Sequence, residues 1–541
     1  MQPFYEIPRR VFASLALGVI PCALSAAHAH PAAPSIAWTA CTADLVDERW
    51  SDALGERLEC GSMPAPVEEG QPAKGSFNVG VVRFKAGIPA QREGSIFFNF
   101  GGPGANPLDM LPQTAYLWAT RAADHPLEGD RKRLSDRFDL VAVVPRGLRG
   151  GTRFPCRPGP ASNPGPDPTV YLADWNWAGF VREARAYAVA CSENPLQRFG
   201  GTLQHARDME LARLALGEPV MNFVGVSYGS WVGAYYASMY ATHVGRMVMD
   251  SVMNYAGSFE DQARAFPPER QALFTRNAVL ASVVDPLAYR LGTDPAAVMA
   301  RFRNMPHQAR ESWAASIGTP SHLAAALTLA DWIRQAGEPD KDRLRSRAAS
   351  FAFSPDPATD RNIRAAATKL VQRLGEPEDP TLSGRVDPAV YFTVVCGDTA
   401  WNKNTRAWRV LANDIARDYP AANGYTVTMG LVCANWTSAP RWRPSLAALA
   451  EAPPILMIQA EFDPATPYSG AMQAFRATPG AYMVLARGST AHGLFGHSAT
   501  PCVEHAVSRF LLSGELPPRH TTACDFVPSP DAPRSPRAPS V

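Results

Sequence analysis

Short runs of apolar, β-prone residues recur in the first and last parts of the chain, each bounded by glycine, proline or polar residues. Such runs predict strands, and the almost continuously apolar ones predict parallel strands that are buried on both faces. Seven runs have this character: 77–84, 95–100, 138–144, 220–226, 246–252, 454–460 and 481–487. We therefore expect an α/β protein with a mostly parallel central sheet.

Helical periodicity fills the segments between these runs and dominates the middle of the chain. Apolar residues at every third or fourth position predict helices over 175–191 and 204–216, which would flank the sheet. From 258 to 390 almost all periodic segments are helical: 261–284, 294–315, 321–336 with Ser321 as N-cap, and 360–374. This change of pattern predicts an inserted helical lid.

Both ends of the chain differ from the body. Arg9 and Arg10, an apolar stretch and Ala27-His28-Ala29 together predict a secretory signal peptide over 1–29. A buried N-terminal helix is less consistent with Pro21, and a lipid anchor at Cys22 would need a small residue before it. The Pro/Ser-rich tail over 527–541 is predicted to be disordered.

The expected organisation therefore has five parts. A signal peptide over 1–29 precedes the first part of the core over 30–257, in which 30–75 is an extended segment. The lid over 258–390, the second part of the core over 391–526 and the tail over 527–541 follow. The mature protein would be secreted or periplasmic.

Composition narrows the function classes. Hydrophobic residues at 46% and charged residues at 19% exclude a disordered chain. No run of 18 apolar residues marks a membrane span in the body of the chain. The net charge of +2, without any block of Lys and Arg, gives no support to nucleic-acid binding. The pattern does not address the oligomeric state.

Eight cysteines remain after removal of the signal peptide, and an even number in an exported chain predicts disulfides. The sequence does not fix their connectivity. The simplest pairing joins sequence neighbours: Cys41 with Cys60, Cys156 with Cys191, Cys396 with Cys433, and Cys502 with Cys524. No C-x-x-C pair is present, so a zinc ribbon or a thioredoxin-type site is not expected.

A G-x-S-x-G motif ends the fourth apolar run. Gly225, Ser227 and Gly229 lie between the predicted strand and a helix rich in small residues. The tight turn that this motif forms lifts the serine hydroxyl clear of the sheet, and the glycines allow the strand and helix to pass closely. Ser227 is the candidate nucleophile.

The last two apolar runs lead to an acid and a base. Asp463 follows the run at 454–460, and His492 follows the run at 481–487. A carboxylate at a strand end can orient an imidazole, and the chain order Ser, Asp, His is that of α/β-hydrolases. His497 is a reserve candidate for the base. A metal site formed with His505 is disfavoured by the spacing, so no metal is expected.

The second apolar run ends in Gly101-Gly102-Pro103-Gly104. A glycine-rich loop after a strand presents backbone N–H groups that suit an oxyanion hole, although an ordinary turn is the commoner fate of such a cluster. A phosphate loop is disfavoured because the Lys-Ser/Thr ending is missing. Arg146, after the third run, is interpreted equally well as a buried salt bridge under the site or as a solvated turn residue.

From Cys60 to Cys524 the chain resembles exported α/β-hydrolases of the tripeptidyl aminopeptidase type, which are related to proline iminopeptidases. The resemblance rests on motifs in a fixed order: Leu58-Glu59-Cys60, 99–104, Pro145-Arg146-Gly147, 225–229, 245–250, Cys433 with Trp436, Asp463 with Thr466-Pro467, and Cys502 with Cys524. It implies an α/β-hydrolase fold and a triad of Ser227, Asp463 and His492. It also implies an oxyanion hole formed by the N–H groups of Tyr228 and of Gly101 or Gly102.

The chain departs from the family pattern at two positions, Phe100 and Val144. Histidine or proline is usual at the first and aspartate at the second. Neither departure affects the triad. Both weaken any transfer of substrate preference.

Three functions compete: an exported aminopeptidase that releases short N-terminal peptides or residues, an esterase or lipase on the same scaffold, and an inactive hydrolase fold used for binding. The intact Ser, Asp and His set argues against the last. The substrate would be a peptide or a small ester, and acyl transfer through such a set requires no cofactor. An aminopeptidase needs a carboxylate for the substrate ammonium group, for which the candidates are Glu461, Glu260, Asp261 and Glu269.

Overall fold

The computed structural model describes residues 34–156, 165–376, 386–438, 443–496 and 500–525. The predicted signal peptide, the predicted tail and His497 lie outside the described residues. Among those residues, no helix is long and apolar enough to cross a membrane.

A ten-stranded sheet forms the centre of the described chain, in the order β1-β2-β3-β5-β4-β6-β7-β8-β9-β10. The strands are β1 Ala37–Ala40, β2 Leu58–Pro66, β3 Ser76–Phe84, β4 Gly94–Asn99, β5 Phe138–Val143, β6 Met221–Val226, β7 Val244–Asp250, β8 Ile455–Ala460, β9 Tyr482–Arg487 and β10 Thr521–Asp525. Pairing is antiparallel from β1 to β5 and parallel from β5 to β10. The expected mostly parallel sheet is confirmed.

The parallel strands at the centre lie within a continuous core. Every residue of β4, β5 and β8 is buried, which explains why these strands appear in the sequence as unbroken apolar runs. All seven strands expected from the apolar runs are present within two residues of their predicted bounds.

The extended segment expected over 30–75 instead contains β1 and β2. The sequence did not predict β2 as a strand because prolines interrupt its second half. In the sheet, β1 pairs only with residues 59–62 of β2, so Pro64 and Pro66 lie beyond that pairing. Proline is tolerated at such positions because no neighbour on that side requires its missing N–H.

Helices cover the sheet and fill the middle of the chain. They are α1 Glu48–Leu54, α2 Pro107–Ala119, α3 Gly129–Arg137, α4 Asp174–Ser192, α5 Thr202–Ala215, α6 Tyr228–Met239, α7 Phe259–Phe274, α8 Ala281–Val284, α9 Pro286–Tyr289, α10 Pro295–Arg303, α11 His307–Trp313, α12 Pro320–Ala336, α13 Lys341–Ser350, α14 Pro357–Arg373, α15 Pro388–Gly397, α16 Thr405–Asp418, α17 Tyr425–Ala434, α18 Tyr468–Arg476 and α19 Pro501–Ser513.

The segment between β7 and β8 is helical throughout its described part. A π-helical turn over Thr275–Leu280 joins α7 to α8, and α12 is capped by Thr319 rather than Ser321. Residues from Phe274 to Leu374 form a core of their own, which also includes Ala421. Apart from Ala421, the buried apolar residues from Val390 onwards belong to the main core instead.

Four disulfides join the cysteine pairs that are neighbours in sequence, as expected. Cys41 follows β1 and is bonded to Cys60 in β2, while Cys502 in α19 is bonded to Cys524 in β10. These two disulfides therefore fasten opposite edges of the sheet.

Candidate active site

Ser227 lies in the sharp turn between β6 and α6. Its φ of 59° and ψ of −121° place a non-glycine residue in a sparsely populated conformation, which costs about 1–3 kcal/mol. The two glycines of the motif permit this turn. A Cβ atom on Gly225 would lie 2.4 Å from the Gly229 carbonyl oxygen, and one on Gly229 would lie 2.5 Å from the Asn99 carbonyl oxygen. The elbow therefore packs directly against the end of β4.

The acid and base candidates meet at the carboxyl ends of β8 and β9. Nδ1 of His492 lies 2.9 and 3.0 Å from the two carboxylate oxygens of Asp463. Oδ1 of Asp463 also accepts the N–H groups of Ala465 and Thr466, which fix the orientation of the carboxylate. Because a carboxylate can only accept, Nδ1 carries the proton and Nε2 keeps its lone pair.

Two opposing influences set the basicity of His492. Burial lowers its pKa, but the hydrogen bond and charge of Asp463, with the charge of Asp250, outweigh burial and leave the pKa raised. The Asp463 side chain is fully buried, whereas that of His492 is 31% exposed. The imidazole can thus reach a substrate while its partner is shielded from water.

The glycine loop after β4 lies against the elbow. A Cβ atom on Gly101 would lie 2.6 Å from the Val226 carbonyl oxygen and 3.3 Å from the Tyr228 nitrogen. The Gly101 N–H already donates to Oδ1 of Asn99 at 3.0 Å. In the described part of the chain, the N–H groups of Gly102 and Tyr228 have no protein acceptor. This arrangement favours Gly102 over Gly101 as the glycine donor.

A buried polar network that sequence reasoning missed supports this loop. The Asn99 amide nitrogen lies 3.0 Å from Nε2 of His205, so that nitrogen must accept and the imidazole is neutral. Burial and the charge of Arg146 lower the pKa of His205 to about 4, in agreement with the neutral form. Only the three-dimensional proximity of β4 and α5 brings these side chains together.

Arg146 forms a buried salt bridge, the first of its two interpretations. Its guanidinium group lies 2.7 Å from each oxygen of Asp208 and also donates to the carbonyl groups of Pro66 and Val67. It joins the turn after β5 to α5 and to the end of β2.

Comparisons with known proteins support the α/β-hydrolase fold. Residues 130–285 match the family described as alpha/beta hydrolase fold, and residues 419–524 match the family described as TAP-like protein. The tripeptidyl aminopeptidase of Streptomyces lividans is 28% identical over 519 residues, which cover 92% of this chain and 88% of that protein. The chain has an α/β-hydrolase fold, and these findings support a tripeptidyl aminopeptidase-like family.

Two mycobacterial relatives of this α/β-hydrolase have different names, one that of an esterase and the other that of a protease. Carboxylesterase B of Mycobacterium tuberculosis is 27% identical over 499 residues, covering 90% of this chain and 89% of the relative. Serine protease Hip1 of the same organism is 23% identical over 481 residues, covering 85% of this chain and 86% of the relative. The chain is a serine peptidase-like hydrolase, and the two matched segments contain Ser227 and the pair Asp463 and His492, respectively.

The four candidate acids for substrate binding lie in different surroundings. Glu260 accepts from the Arg264 side chain and the Asn402 N–H, and Glu461 accepts from the Gly488 N–H. Glu269 accepts from the Ser469 hydroxyl, and Asp261 forms a capping box with Ser258 at the start of α7. All four therefore already have partners within the hydrolase.

Two cavities adjoin the segment that carries Asp463. One of about 160 Å³ is lined by Phe266, Pro267, Arg270 and Pro464 among others, and its lining includes no carboxylate. The other, of about 250 Å³, is lined by Asp261 together with Pro467, Ser469 and Gly470. Among the four candidates for substrate binding, Asp261 therefore lines a cavity beside the segment that carries Asp463.

Proposed function

We propose that this α/β-hydrolase is an exported aminopeptidase in which Ser227, Asp463 and His492 form a catalytic triad. The main support is the His492–Asp463 hydrogen bond at the carboxyl ends of β8 and β9, together with the strained elbow of Ser227 at the carboxyl end of β6 in the same parallel sheet. Nε2 of His492 would take the Ser227 proton as the hydroxyl attacks a carbonyl carbon. Asp463 would hold the tautomer and stabilise the imidazolium ion.

An oxyanion hole made by the N–H groups of Gly102 and Tyr228 completes the proposed mechanism. Each donor would stabilise the developing negative charge by roughly 3 kcal/mol. Collapse of the tetrahedral intermediate forms an acyl-enzyme on Ser227 and expels the amine, which takes the proton from His492. Water activated by the same imidazole then releases the acyl group, and no cofactor enters the cycle.

Aminopeptidase action requires recognition of the substrate ammonium group. A charge-assisted hydrogen bond to a carboxylate would contribute roughly 1.5–3 kcal/mol. Asp261 fits this role best among the four candidates, because it lines the cavity next to Pro467 and Ser469. We propose that the helices from α7 to α14 form a lid that shapes this end of the site.

An esterase is the second candidate function, and the similarity to Carboxylesterase B favours it. The two functions differ in whether a free amino terminus matters. We expect a fluorogenic tripeptide amide to be cleaved much faster than its N-acetylated form, with Ser227→Ala as the blank for both. Equal rates on both peptides, or hydrolysis of acyl esters without amide cleavage, would replace the aminopeptidase with the esterase.

Export is supported by the four disulfides, because cross-links of this kind persist in oxidising compartments. We propose that cleavage after Ala29 releases a mature chain that begins at His30. Amino-terminal sequencing of protein recovered outside the cytoplasm tests this. A recovered chain that retains residues 1–29 would contradict it.

A further inference from the structure

Asp250, the last residue of β7, touches the nucleophile side of the site through its main chain. Its carbonyl oxygen accepts the Ser227 N–H at 2.8 Å. The residue is completely buried between β6 and β8. No part of the proposed triad mechanism uses it.

The Asp250 side chain reaches the base side of the same site. Its Oδ2 atom accepts the N–H groups of Leu494 at 2.8 Å and Phe495 at 2.9 Å, the second and third residues after His492. The neighbouring Ser251, which has a positive φ of 54°, accepts the Gly493 N–H on its hydroxyl oxygen at 2.8 Å. Two adjacent residues therefore hold three successive N–H groups that follow the base.

We propose that Asp250 is a positioning residue that fixes His492 relative to Ser227 and places a second buried negative charge against the loop that follows His492. The proposal rests on the triad put forward above. Asp250 binds the backbone of Ser227 with its main chain and the loop after His492 with its side chain. The distance between the nucleophile and the base therefore depends on the end of one strand, β7.

The charge on Asp250 is consistent with this role. Burial raises its pKa to about 6, while the N–H groups of Phe495 and Leu494 and the charge of His492 oppose the rise and Asp463 adds to it. The backbone N–H groups that donate to the carboxyl favour its ionised form. Among the described residues no Lys or Arg forms a salt bridge with it, and its side-chain partners are the N–H groups of Leu494 and Phe495 and the Ser251 hydroxyl, which donates at 3.3 Å.

Other charged groups adjoin the same loop. Glu504 accepts the Gly496 N–H at 2.7 Å, and Arg131 donates to the Gly496 carbonyl at 3.1 Å. Burial raises the pKa of Glu504 to about 7, with Arg131 opposing the rise. The charges that act on the pKa of His492 are those of Asp463 and Asp250, and both raise it.

The test is the rate at which a neutral fluorophosphonate labels Ser227, measured against pH in the full mature chain. Labelling needs unprotonated His492, so it falls as pH drops through the pKa of that residue. Asp250→Asn should lower the plateau rate by about tenfold, because the base is misplaced, and should move the acidic limb to lower pH, because a charge that raised the pKa is gone.

Two further variants distinguish these effects of Asp250→Asn from a loss of structure. Ser251→Ala removes one anchor without changing charge, so the plateau should fall severalfold while the limb stays in place. Glu504→Gln neutralises a buried carboxylate of α19 that binds the same loop, and it should also leave the limb in place.

An unmoved limb in folded Asp250→Asn overturns the proposal, since a purely structural role would lower the plateau alone. If Asp250→Asn fails to fold, an unchanged plateau in Ser251→Ala overturns it instead. Failure of the wild-type chain to label at Ser227 would refute the triad itself, and that result is distinguishable from both.

Discussion

Replacement of Gly229 by alanine tests how closely the elbow packs against β4. Without any contact the change would stabilise α6, since alanine is favoured over glycine in a helix by up to about 1 kcal/mol. The new Cβ atom, however, would lie 2.5 Å from the Asn99 carbonyl oxygen, where ordinary contacts begin at 3.4 Å. The elbow and the end of β4 must therefore separate by roughly 1 Å.

Overpacking of this kind costs about 1–3 kcal/mol, so the net effect should be destabilisation by about 0–2 kcal/mol. The catalytic effect should be larger. The Tyr228 N–H moves with α6 while the glycine loop stays with β4, and a 1 Å misplacement in an active site costs about a hundredfold in rate.

Thermal unfolding and the rate of Ser227 labelling measure the two effects. Gly318→Ala is the matched control, because a Cβ atom there meets nothing within 4 Å and φ is ordinary. We expect Gly318→Ala to be neutral or slightly stabilising and fully active. A Gly229→Ala variant with wild-type stability and wild-type labelling would refute the close packing on which the oxyanion hole depends.

Three further predictions concern the pH dependence of activity, the identity of the base and one disulfide. Because Asp463 raises the pKa of His492, activity should be lost with falling pH at a higher pH than an ordinary histidine would give, and Asp463→Asn should lower both the rate and that pH; a kcat/KM profile against pH decides. His492→Ala should reduce kcat by several orders of magnitude, whereas His497→Ala, outside the described residues, should have a mild effect; reversed penalties would make His497 the base. Replacement of both Cys502 and Cys524 by serine should lower the stability of the mature chain by about 3 kcal/mol, as measured by unfolding of the variant and of the wild-type chain without reductant; equal stabilities would contradict a structural role.

The sequence predicted most of the sheet because buried parallel strands are apolar on both faces, and that signal does not depend on their neighbours. It missed β1, β2 and β10, which lie on the outer part of the sheet. Edge strands bury less apolar surface, and β2 contains prolines whose acceptability depends on how far β1 extends along it. Pairing partners of this kind cannot be read from local composition.

The candidate site likewise contains residues that could be predicted from the sequence and residues that could not. Ser227, Asp463 and His492 could be proposed because each follows a predicted strand, and parallel strands end at a common edge. The supporting residues follow no such rule. Asn99 meets His205, and Asp250 meets Leu494, only because distant segments pack together. The one signal for these supporting residues in the sequence was a polar residue within an apolar run. This signal does not identify the residue with which the polar side chain pairs.

An activated Ser227 should react covalently with an electrophile that mimics an acyl substrate. The folded mature chain should be treated with a fluorophosphonate probe, digested, and analysed by mass spectrometry, with His492→Ala as the control that retains the serine but lacks the base. We predict that Ser227 is the sole modified residue and that labelling is almost abolished in the control. Stable labelling of a different serine, or no labelling of the folded wild-type chain, would show that Ser227 is not an activated nucleophile.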